Sequence, residues 1–188
     1  MNFLDMRTVI FTMLVTNSLC TLLLIFLWRQ NRSRFEGIHC WVADFALQTA
    51  ALLLIVTRGG ISDWMSIVLS NTMVVAGSII GYRGLELFVR KKVPQIQNLV
   101  LLAVFPLIHS YYTFVQPSLA ARTLNISTAL LIVCCQCLWL LFRGVGPAMR
   151  LQTQGVGIVF GAFCMLSIVR IVNFFLSSPS KNDFFHSG

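Results

Sequence analysis

From Asp63 to Lys92 the chain reads DWMSIVLSNTMVVAGSIIGYRGLELFVRKK. About 20 mostly apolar residues separate an acid and a tryptophan from a tyrosine, an arginine, a glutamate and a basic run. At about 1.5 Å per residue that length crosses a bilayer's hydrocarbon core. Lysine and arginine beside a spanning helix collect on the cytoplasmic side. Arg90, Lys91 and Lys92 therefore set the end of this segment inside and Asp63 outside, and the rest of the chain threads from that orientation.

Only 11% of the 188 residues are charged and 57% are hydrophobic. A soluble domain carries about 25% charged residues, so this chain has too few to cover a water-facing surface. The reading is an all-α, polytopic membrane helical bundle. Six transmembrane helices are expected at about 6–28, 38–57, 63–88, 97–114, 119–142 and 153–176, with a polar tail over 177–188. The cations fit the thread. Arg29, Arg32, Arg34, Arg83, Arg90, Lys91, Lys92, Arg143 and Arg150 fall in or beside the three inner loops, and only Arg7, Arg58 and Lys181 fall outside. This asymmetry predicts a multi-pass membrane protein with its N-terminus outside. A net charge of +8 can signal nucleic acid. Cations held in short loops between apolar runs point instead to the lipid bilayer and its anionic head groups as partners.

Several local features refine the thread. Helix 1 carries Thr8, Thr12, Thr16, Asn17, Ser18 and Thr21, residues that hydrogen-bond across helix interfaces. The double glycine of TRGGISD suits a tight reversal. Gly77 and Gly81 form a G-x-x-x-G pair that lets two backbones approach, and Gly157 and Gly161 repeat the spacing on helix 6, for helix packing or for contacts in a homodimer. Pro106 is expected to kink helix 4, and Ser118 is placed to cap helix 5.

Ionisable groups within spans are costly and therefore functional candidates. Counted from the outer helix ends at about 1.5 Å per residue, Arg122 lies roughly 6 Å deep, His109 and Arg170 roughly 9 Å, and Asn71 roughly 12 Å. With Tyr112 and with Asn173, one turn from Arg170, these residues outline an outward-facing layer suited to a small polar or anionic ligand, because the guanidinium fork matches carboxylate and phosphate. The competing reading has Arg122 and Arg170 snorkelling to the interface or pairing with Asp63 and Asp5, and His109 packed as a buried polar group. Asp44, in the inner third of helix 2, is expected to form a structural ion pair with Arg83. Cys134, Cys135 and Cys137 have no histidine or methionine at matching spacing, so no metal and no cofactor is assigned. The six cysteines show no disulfide framework. No phosphate loop, nucleophile elbow or metalloprotease motif occurs, and no catalytic residue is assigned.

Three stretches together carry a resemblance: SDWMSIVLSNTMVVAGSIIGYRGLELFVRKKVP (62–94), YYTFVQPSLAARTLNIS (111–127) and WRQNR…WVADF (28–45). They resemble the N-terminal multi-spanning sensory region of bacterial GGDEF-type diguanylate cyclases. The resemblance implies a sensor embedded in a bacterial inner membrane that regulates a cytoplasmic cyclase making cyclic di-GMP from two GTP, and a homodimer, since such cyclases work in pairs. It also implies a seventh span and the enzyme domain beyond Gly188, as six spans alone leave both termini outside. Asp63, Trp64, Asn71, Tyr112, Pro117 and Arg122 are the recurring features it carries over. The chain itself holds no GGDEF motif, so enzymatic activity is not assigned to it. A transporter or channel, or a stand-alone membrane scaffold, is the alternative. A transporter calls for paired broken helices and inverted repeats, and only Pro106 interrupts a span.

Overall fold

A computed structural model describes residues 6–32 and 36–176. The polar tail over 177–188 lies outside the described residues. Within them the chain is helical almost throughout: α1 (Met6–Asn31), α2 (Ile38–Val56), a π-helical start (Trp64–Leu69) running into α3 (Ser70–Val89), α4 (Ile96–Ser110) with a π-helical end (Tyr111–Val115), α5 (Leu119–Gly144) and α6 (Pro147–Leu176). All six rods are long and apolar enough to cross a membrane. The expected boundaries hold to within a few residues, except that α6 begins six residues earlier than its apolar run.

Exposure runs opposite to that of a water-soluble protein. Leu107, Ile158 and Phe175 are 71–73% exposed, while Glu86, Asn98 and His109 are exposed to 1% or less. Large apolar side chains outside and hydrogen-bonded polar groups inside are what a hydrocarbon solvent selects.

The helices group into two compact units, one up to Ile96 and one from Gln97. In the first, α2 is central, with α1 on one side and α3 on the other. Glycines set the α2–α3 contact. A Cβ on Gly77 would stand 2.8 Å from Asp44 Oδ1, one on Gly81 2.5 Å from Asp44 Oδ2, and one on Gly84 2.8 Å from Trp41 Nε1. The G-x-x-x-G face thus serves packing within the chain. Its close approach lets Trp41 Nε1 donate to the Gly81 carbonyl at 3.2 Å. Gly37 precedes α2 at φ +96°, and a Cβ there would run into the Gly84 carbonyl. The α1–α2 contact is looser. Thr12, Ser18 and Thr21 donate to carbonyls four residues back on α1, and Thr21 also meets Thr49 across the interface at 3.1 Å.

In the second unit α5 packs on α6, and polar side chains tie it to α4. Ser118 opens α5 as expected, its hydroxyl accepting from the Ala121 N–H at 3.2 Å.

Candidate functional site

Two polar clusters stand out among the described residues, one in each unit. The first surrounds His109, in the last turn of α4. Its ring stacks on Phe105 with centroids 5.1 Å apart. Asn125, on α5, brings Nδ2 within 3.4 Å of His109 Nδ1 and 3.3 Å of the Phe105 carbonyl. Thr113 closes the next turn by donating to the His109 carbonyl at 2.7 Å. Half-buried Arg122 lies one turn from Asn125 on α5 and within electrostatic range of His109. Two irregularities adjoin the cluster. Pro106 removes one α4 hydrogen bond, and the backbone widens to π geometry from Tyr111 to Val115. Single π turns often mark functional positions in helices. A second amide contact ties the same helices further along, where Gln136 Nε2 donates to Asn98 Oδ1 at 2.9 Å.

This arrangement gathers part of the expected layer. His109 and Arg122 come together, and Tyr112 sits half-buried in the π turn, its ring edge-on to Tyr111. Arg170 and Asn173 do not join them; both are exposed on α6. Their helix turns that face outward, so spacing along α6 aligned them with each other and not with His109. Asn71 belongs to the first unit, where its side chain bonds back to the Ile67 carbonyl at 2.6 Å. Asn125 is not among the residues expected at the site. Its signal was available: His109 and Asn125 stand eight residues either side of Pro117, so an antiparallel hairpin sets them level.

The second cluster surrounds Glu86, on α3. Oε2 accepts from Arg83 Nη1 at 2.6 Å and Oε1 from Gln95 Nε2 at 2.6 Å, and the carboxylate is wholly buried. The expected ion pair of Asp44 with Arg83 is therefore corrected. Arg83 pairs with Glu86 one turn along its own helix, and Asp44 instead accepts from Gln48 Nε2 at 2.7 Å while lying over the glycines of α3. The short i,i+3 reach within one helix wins because the approach of α2 directs Asp44 at Gly77 and Gly81. Gly157 and Gly161 differ from the α3 glycines, with no atom within 4 Å of a Cβ placed on either.

Cys135 Sγ lies 3.9 Å from Cys164 Sγ, joining α5 to α6. Among the described residues no three His, Cys, Asp or Glu side chains are grouped to hold a metal ion. Comparison with protein-family models, with curated proteins and with solved structures finds no match.

Proposed function

We propose that the chain is a signal-input module of a bacterial inner membrane, N-terminus outside, that reads a small polar or anionic ligand at its outer face. In this reading it regulates a cytoplasmic diguanylate cyclase, in keeping with the resemblance of residues 62–94 and 111–127 to such sensory regions. The observation that carries it is the contact of buried His109 with half-buried Asn125 beside Arg122, set between a proline and a π turn. Polar and ionisable groups at membrane depth are costly unless they are used, and a helix end already relieved of regular hydrogen bonding can change its packing at low cost. Arg122 supplies the fork for a carboxylate or phosphate. The open Gly157–Gly161 face of α6 suits the close approach of a second copy, as paired cyclases need.

The test is thermal unfolding of the purified chain against a panel of small carboxylates and phosphate esters, together with cyclic di-GMP output in cells. A ligand of this class should raise the melting temperature of the wild type and lose its effect on Arg122→Ala. If no such ligand shifts the transition and Arg122→Ala leaves output unchanged, the reading fails.

A further inference from the structure

The Glu86 cluster opens into a cavity of about 390 Å³ lined by Glu36, Arg83, Glu86, Leu87, Arg90, Lys91 and Lys92. Four cations face two carboxylates there, a surplus of two positive charges. Glu86 is already engaged, with one oxygen on Arg83 and the other on Gln95. Arg90, Lys91 and Lys92 then dominate the field in the remaining space, opposed by Glu36 alone.

The backbone at this point adds an independent observation. Helix α3 ends in a Schellman turn, with Lys91 N–H donating to the Glu86 carbonyl at 3.0 Å and Arg90 N–H to the Leu87 carbonyl at 3.1 Å. That turn sets its first residue beyond the helix in the left-handed region, where glycine is usual. Here the residue is Arg90, at φ +57° and ψ +37°, and no other non-glycine residue among those described has positive φ. A bulky side chain held in a conformation that favours glycine points to a use for that side chain.

We propose that this cavity binds a phosphate group, with Arg90, Lys91 and Lys92 as its donors, and that its usual source is the head group of an anionic phospholipid. The cavity volume lies within the range of ligand sites. It sits at the end of α3 where positive charge concentrates, the end that meets the anionic leaflet. Leu87 gives it an apolar wall, suited to a head group with its glycerol. The ligand would join the end of α3 to the segment that leads into α4, because Gln95 holds Glu86 from that segment.

The experiment uses the full chain in phosphatidylcholine nanodiscs. Melting temperature and retained lipid, by native mass spectrometry, are read with phosphatidylglycerol added to the lipid or with inorganic phosphate added to the buffer. Arg90→Gly is the informative variant, because glycine suits the turn while the guanidinium is lost. Its melting temperature without anionic lipid should equal or exceed that of the wild type. Its affinity for phosphatidylglycerol should fall about fivefold, the equivalent of about 1 kcal/mol per basic residue at an anionic surface. Arg29→Gln, exposed on α1 and not among the residues that line the cavity, should keep wild-type affinity. Stabilisation by phosphatidylglycerol alone identifies a lipid head group, and stabilisation by inorganic phosphate as well identifies a soluble phosphate; both support the site. Equal binding by wild type and Arg90→Gly, or an equal loss on Arg29→Gln, overturns it.

Discussion

Replacing Gly37 with alanine isolates the closest approach of α2 and α3. Two costs arise at this position. The first is conformational: a non-glycine residue at φ +96° costs on the order of 1–3 kcal/mol. The second is steric. The new Cβ would meet the Gly84 carbonyl oxygen, with the Gly84 carbonyl carbon at 3.1 Å and Cα at 3.3 Å. These are backbone atoms in mid-helix, so they yield only if the helices part, and forced insertion into a packed contact costs about 1–3 kcal/mol. Gly59 is the matched control. Its φ is +95°, and nothing lies within 4 Å of a Cβ there. Gly59→Ala therefore carries the first cost alone, and the difference between the variants should be about 1–3 kcal/mol. At roughly 2–4 °C per kcal/mol for a chain of this size, their melting temperatures should differ by about 2–12 °C, with Gly37→Ala the lower. Circular dichroism of both proteins during unfolding in mixed detergent micelles measures it. Equal losses would refute the inference that Gly37 is held by the Gly84 backbone.

Other expectations follow from the same geometry. Gly84→Ala should cost about 1–3 kcal/mol, since its Cβ meets the rigid Trp41 indole at 2.8 Å, whereas Gly155→Ala, open on α6, should be neutral or stabilising by about 0.5–1 kcal/mol; parallel unfolding titrations compare them. Asn125→Leu should lose about 1 kcal/mol, as one interhelical contact within a membrane is worth about 0.6–2 kcal/mol, and should expose His109 to faster modification by diethyl pyrocarbonate. Ser118→Ala should lose about 1 kcal/mol with the α5 cap, and Ser118→Asp should restore most of it.

Much of the fold could be read from the chain because a bilayer demands long apolar runs, and those runs mark their own ends. The loops around Gly59 and Pro117 were equally plain. What escaped was azimuth, the direction in which each helix turns its faces. Depth along a helix follows from counting residues, but Arg170 and Asn173 show that shared depth does not bring side chains together. The Asp44–Arg83 pairing failed for the same reason, since level groups met different neighbours once the glycines had fixed the rotation of α2 against α3. The α4–α5 hairpin pairs residues symmetrically about its turn. Asn98 and Gln136 stand nineteen residues either side of Pro117, just as His109 and Asn125 stand eight, and both pairs are in contact.

Those two contacts bracket Pro106. Proline denies the Leu102 carbonyl its partner, which leaves a soft point in α4 between two levels tied to α5. A rod pinned above and below its weak point cannot swing like a hinge; it can only bow sideways. A push at the Pro117 turn would therefore reach the far end of α4 as a small change of tilt, with the register between α4 and α5 preserved.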